Sequence, residues 1–163
     1  MGWLKKYISA ETRATSMLRL FGLLKIPLIW YVKPSVVSIG EEKIVVKVPL
    51  RRRNKNHLKS MYFGTLCVGA DCTGGLLAMR FINERPEQVS LVFKDFKADF
   101  LKRAEDDTYF ICEQGREISA LVDLVCQSDE REEMPVAVTA TVPSKFGDEP
   151  VANFTMTLSL KKK

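Results

Sequence analysis

A chain of 163 residues, 46% of them hydrophobic, suits one packed domain and is too apolar for an intrinsically disordered segment. The net charge of +5 is partly local, held in "RRR" at 51–53 and "KKK" at 161–163. That argues against the broad basic face a nucleic-acid partner would need, and fits better with a phosphate-bearing small molecule.

The opening stretch "MGWLKKYISAETR" is too charged for a signal peptide, so a cytoplasmic location is expected. Over 11–25, Ala14, Met17, Leu18, Phe21 and Leu24 recur at helical spacing, with Ser9 as N-cap and Pro27 as stop. The apolar run "MLRLFGLLKIPLIWYV" at 17–32 is interrupted by Arg19, Lys25 and Pro27, and falls short of the ~20 residues a spanning helix needs. It could lie on a membrane surface; the favoured expectation is an amphipathic helical extension over 1–34, packed on a main domain at 35–163.

"VVSIGEEKIVVKVPL" reads as two strands joined by a tight turn at Gly40, Glu41 and Glu42. The segment 57–79 is apolar nearly all round and unusually rich in glycine. This predicts a buried central helix in close contact with a sheet, ending or kinking near Gly74 and Gly75. "QVSLVFKDFKADFLKRA" alternates as a strand whose phase slips at Lys94 and Asp95, as a β-bulge would make it. "TYFICE" is a shorter strand, "REISALVDLVCQ" a short amphipathic helix, and "PVAVTATVP" and "PVANFTMTLSL" are strands joined by the polar loop "SKFGDE". Antiparallel strands packed on one long helix make an α+β domain.

The cysteines at 67, 72, 112 and 126 show no C-x-x-C and no metal-finger spacing, so free thiols and no metal site are expected. The single histidine, His57, reads as a loop or capping residue rather than a catalyst.

The order of elements and the segment "ADCTGGLLA" at 70–78 resemble the hotdog fold, in which a curved antiparallel sheet wraps a central helix. Within it the chain is similar to the acyl-CoA thioesterases of the phenylacetate-pathway type and their uncharacterised bacterial relatives. Their pattern runs Asn, then His-Gly-Gly six residues on, then an acid nine after the histidine. Asn56 and Asp71 match the ends of that pattern, while Tyr62, Phe63 and Gly64 hold the His-Gly-Gly positions. The resemblance covers most of the chain from Val36 onward.

The resemblance implies hydrolysis of an acyl thioester, with coenzyme A entering as part of the substrate and no separate cofactor. Asp71 would be general base or nucleophile, and the amides of Phe63 and Gly64 would supply an oxyanion hole. Asn56 would orient water or carbonyl, Tyr62 could donate a hydrogen bond, and Thr73 would support the substrate site. Arg51, Arg52 and Arg53, or the terminal lysines, could take the coenzyme A phosphates. Helix geometry adds a constraint of its own: Gly64 and Asp71, seven residues apart, lie nearly on one face with roughly 10 Å of rise between them. One chain cannot bring both to the same carbonyl carbon, so a homodimer, or a dimer of dimers, is expected to complete each site. Two alternatives stand beside this reading: a non-catalytic acyl-CoA-binding or ligand-sensing hotdog protein, and a structural or membrane-peripheral protein that uses its N-terminal helix.

Overall fold

The structure, a computed structural model, describes residues 9–163; residues 1–8, where most of the charged opening stretch and the start of the expected extension fall, lie outside them. Helix α1 (Ala10–Leu24) starts where expected, because the Ser9 hydroxyl accepts the Thr12 N–H. Pro27 does more than stop it: the ring occupies the first turn of a second, short helix, α2 (Pro27–Val32). Strands β1 (Ser35–Ile39) and β2 (Ile44–Val48) form the expected hairpin, closed by Gly40 N–H donating to the Lys43 carbonyl at 2.8 Å.

After a single 3-10 turn (Arg52–Asn54) comes the long helix α3 (Phe63–Asn83). It begins six residues later than the sequence pattern suggested, because the loop before it is organised by side chain and backbone rather than by helix hydrogen bonds. Asn56 Oδ1 accepts from Leu58 N–H at 2.9 Å and Ser60 N–H at 3.2 Å, and Lys59 adopts a left-handed φ of 64°. Nor does α3 end near Gly74 and Gly75. It continues through them to Asn83, with buried Gly74 set against Met156 and Val136 of the sheet.

The remaining elements are β3 (Val89–Phe100), β4 (Thr108–Cys112), α4 (Gly115–Gln127), β5 (Arg131–Thr141), α5 (Pro143–Phe146) and β6 (Pro150–Lys162). The loop expected at "SKFGDE" thus contains one helical turn, closed by Gly147 at φ +58°. The expected bulge lies where β3 shifts register against β6, between Phe93 and Phe96. The Asp95 carboxylate there accepts from the Thr157 N–H and hydroxyl, replacing the ladder contact that the bulge removes.

All six strands pair antiparallel in the order β1-β2-β4-β5-β6-β3. The curved sheet wraps α3, whose Leu66, Ala70, Leu77 and Phe81 pack against Val46, Phe110, Val136 and Met156 in one core. This is the hotdog arrangement. By length and composition α3 could cross a membrane, yet it is the buried core helix of the domain. The two sheet edges differ. At the β1 edge, the Val36 N–H donates to the Thr15 hydroxyl of α1 at 2.8 Å, and Arg19 of α1 donates to Pro34 O and Ser35 Oγ. The twelve-residue β3 edge carries exposed Val92, Phe96 and Phe100, and no strand among the described residues pairs with its outer side.

Candidate active site

The N-terminus of α3 is where backbone chemistry is available. Every α-helix leaves its first N–H groups without an intrahelical acceptor. In α3 the Thr65 and Leu66 N–H groups turn back to the Tyr62 carbonyl at 2.9 and 3.1 Å. The Phe63 and Gly64 N–H groups have no acceptor among the described residues, and Tyr62 makes no side-chain cap. Two adjacent amides are therefore free at the positive end of a 21-residue helix.

Phe63, the first of these two, lines a hollow of about 360 Å³ together with Asn56, His57, Tyr62, Phe100 and Arg103, among others, and Gly64 follows it directly. Tyr62 packs against Phe63 with ring centroids 4.8 Å apart and the planes tilted by 57°, and Phe63 meets Phe100 edge-on at 6.2 Å. Gly64 permits this arrangement: a Cβ there would stand 2.6 Å from Tyr62 Cε1. Phe63 is more than half exposed, so its ring stands at the mouth of the hollow where the related motif has a glycine.

Asn56 reaches this hollow, with its oxygen already engaged by Leu58, Ser60 N–H and the Ser60 hydroxyl. Its Nδ2 has no acceptor among the described residues and so is left with a free donor. A neighbouring residue that sequence reading overlooked anchors the whole corner. Asn54 is fully buried, and its Nδ2 donates to Val32 O at 3.2 Å and Pro49 O at 2.8 Å. Its carbonyl accepts the Tyr62 N–H at 2.8 Å. One asparagine thus ties the end of α2, the end of β2 and the start of α3. Lys102 and Arg103, also unremarked in the sequence, put two cations on the wall of the hollow. Their only sequence signal is that they follow a strand end.

Asp71 lies two turns along α3, half-buried, and makes no hydrogen bond or ion pair among the described residues. Burial pushes its carboxyl above the ordinary carboxylate range. The adjacent Cys72 thiol is buried, and burial and the Asp71 charge push it up, which disfavours the thiolate. The chain does not bring Asp71 into the hollow that holds Tyr62 and Phe63. Thr73 lies in the core, its hydroxyl donated to Gly69 O at 2.7 Å, and takes no part in lining the hollow. Arg51, Arg52 and Arg53 line a separate hollow with Tyr31. Among the described residues no group of three or more histidine, cysteine, aspartate or glutamate side chains could hold a metal ion, and the four cysteines are free.

Comparison with solved structures shows the same fold at low identity. A Shewanella oneidensis protein provisionally designated a thioesterase aligns with TM-score 0.76 and 16% identity, over 91% of this chain and 98% of its own. A Pseudomonas aeruginosa protein of unknown function, also provisionally designated a thioesterase, aligns with TM-score 0.74 and 20% identity, over 91% and 96%. A Haemophilus influenzae thioesterase aligns with TM-score 0.64 and 12% identity, over 88% of each chain. No curated protein matches the chain. The family model that matches spans residues 14–160, nearly the whole chain including most of α1, and on that match the protein belongs to DUF4442, a family defined by a domain of unknown function.

Proposed function

We propose that the protein is a thioesterase that hydrolyses an acyl thioester of coenzyme A at a site shared between two copies of the chain. The observation that carries this reading is the pair of acceptor-free amides, Phe63 and Gly64, at the start of the helix, beside a hollow that Phe63 lines, on the same helix that bears the unpaired, half-buried Asp71. The designations of the three fold relatives agree with it. Because the amides and the carboxylate are about 10 Å apart along one helix, each site takes the amides from one copy and Asp71 from the other. The open β3 edge supplies a surface for such pairing, since long unpaired edges are otherwise an aggregation hazard.

In this arrangement the thioester carbonyl oxygen sits against the Phe63 and Gly64 N–H groups, where negative charge develops as the carbonyl carbon becomes tetrahedral. Asp71 of the second copy takes a proton from water as the water oxygen bonds to that carbon. The C–S bond then breaks, and the proton passes to the departing coenzyme A thiolate. Direct attack by Asp71 to give an anhydride, which water then opens, is the other route the same geometry serves. A carboxyl raised by burial is a better base than an ordinary aspartate, provided the pH lies above its pKa. Asn56 Nδ2 and the Tyr62 hydroxyl are donors for the water or the carbonyl. Arg103, which has no ion pair among the described residues, is the cation placed to meet a coenzyme A phosphate in this hollow, while Lys102 beside it already pairs with Glu149.

A second reading, acyl-CoA binding without turnover, is favoured by one observation: the bulky Phe63 ring, at the residue that supplies the first free amide, lines the hollow and packs on Phe100. An acyl-CoA panel assayed by free-thiol release separates the two. Hydrolysis abolished by Asp71→Asn supports the enzyme. Absent hydrolysis at every chain length, with coenzyme A thioesters still raising the melting temperature, supports the binding protein. Hydrolysis unchanged in Asp71→Asn removes that residue from the mechanism.

A further inference from the structure

The apolar residues of α1 and α2 do not behave as a packed amphipathic face. Of their large apolar residues only Leu18, Ile29 and Val32 are buried: Leu18 and Ile29 hold the pair against Cys72 of α3, and Val32 joins the main core. Leu20, Leu23, Leu24, Leu28, Trp30 and Tyr31 are exposed, Leu24 by 68% and Leu28 by 55%. A contiguous exposed run of this kind marks an interaction surface rather than a folding requirement.

Charge identifies what it meets. Between Thr12 and Ala70 the chain carries eleven lysines and arginines and only two carboxylates, Glu41 and Glu42. Within that stretch Lys43 and Lys47 are paired with Glu113 and Asp107, while Lys25, Lys33, Arg51, Arg52 and Arg53 have no ion pair among the described residues. The free cations are gathered onto the apolar surface. Lys33 Nζ stands 5.1 Å from the Trp30 ring centre, and the Arg53 guanidinium lies 5.3 Å from the Tyr31 ring centre while donating to Tyr31 O. Tyr31, Arg51, Arg52 and Arg53 together line one hollow.

From this juxtaposition we infer that the α1–α2 surface docks on an anionic phospholipid bilayer. The leucines enter the acyl boundary, Trp30 and Tyr31 lie at headgroup level, and the cations bind lipid phosphates. A second copy is the poorer occupant, because a two-fold contact through this surface would bring the unpaired cations onto themselves. The surface adjoins β1, at the opposite edge of the sheet from β3, so pairing through β3 leaves it uncovered.

The test is cosedimentation of the full chain with vesicles of phosphatidylcholine alone and of phosphatidylcholine with phosphatidylglycerol. The expected result is pelleting with the anionic vesicles at least about tenfold stronger than with the neutral ones, and weakened by salt. Leu24→Ser with Leu28→Ser, both exposed and so without a folding role, should lower that binding by on the order of tenfold or more, as should Arg51→Gln with Arg52→Gln. Circular dichroism melts confirm that the variants fold. No pelleting, equal pelleting with both vesicle types, or variants that bind as the parent would overturn the inference. So would a chain that ignores vesicles but loses an oligomer in the leucine variant, which would assign the surface to a second copy.

Discussion

Phe63 is the first residue of α3, and its backbone already suits a proline. Tyr62 before it has φ −63° and ψ 136°, the extended conformation that a following proline demands, and the first helical position needs no N–H for the helix itself. Phe63→Pro should therefore fold while deleting one donor, and Phe63→Ala should delete the ring and keep the donor. If the Phe63 amide stabilises the oxyanion, kcat falls about 10²-fold further in the proline variant than in the alanine variant. Equal rates would assign the role to Gly64 alone or to neither. Asp71 makes a prediction of opposite signs for activity and stability. Because burial raises its folded pKa, the native chain keeps this proton at pH values where the unfolded chain has released it. The group's contribution to stability is highest below the unfolded pKa and falls as pH rises through the window up to the folded value. Asp71→Asn should thus melt higher than the parent near neutral pH, with the gap closing on acidification, yet lose about 10²–10⁴ in hydrolysis. In the parent, kcat/KM should fall with acidification at a pKa above the ~3.9 of an ordinary aspartate.

At the scale of the element, α3 shows what its glycines are for. A Cβ at Gly69 would stand 2.3 Å from the Cζ of Phe110, a fully buried ring with no room to swing aside. Overpacking of this kind costs about 1–3 kcal/mol, against a gain of roughly 1 kcal/mol in helix propensity. Gly69→Ala should be net destabilising. At Gly75 the nearest atom is Phe93 Cε2 at 3.7 Å, an ordinary contact, so Gly75→Ala should gain up to about 1 kcal/mol. Urea melts of the two variants read the difference. The close approach of helix to sheet was legible in the sequence, since only packing explains so many glycines in an apolar helix. Strand alternation likewise located the bulge at Asp95, while of the residues singled out for the site the hollow gathers Asn56, Tyr62 and Phe63 but not Asp71 or Thr73. What could not be read were contacts between residues distant along the chain. Asn54 looks like any loop asparagine until Val32, Pro49 and Tyr62 converge on it. The start of α3 was misplaced because residues 57–62 carry apolar side chains that helical periodicity accepts, while the Asn56 turn decides the backbone. In α1, spacing correctly identified an amphipathic helix, but Met17, Phe21 and Leu24 of the apolar stripe face solvent. Periodicity reports that a stripe exists, not that the domain has a surface to cover it.

At the scale of the whole molecule, the position of two groups on one helix becomes a statement about assembly. A carboxylate two turns from the amides has no use in its own chain's hollow, so activity should belong to pairs of chains. Two crippled variants test this directly. Asp71→Asn retains both amides, and Phe63→Pro retains the carboxylate. After mixing and subunit exchange, half the dimers are expected to be hybrids. In each hybrid one site combines both defects, and the other combines the native amides with a native carboxylate. About a quarter of all sites are then restored, as two-fold symmetry requires, and the mixture should approach about a quarter of parental activity where each variant alone retains about a hundredth or less. If each chain carried a self-sufficient site, mixing would restore nothing, and Asp71 could reach its own amides only if α3 unwound between Gly64 and Asp71, which would break its helix hydrogen bonds and the packing of Leu66 and Ala70 in the core. Recovery that rises with time and then plateaus would also measure how fast the subunits exchange. Slow exchange would point to an extensive interface such as the twelve-residue β3 edge could provide.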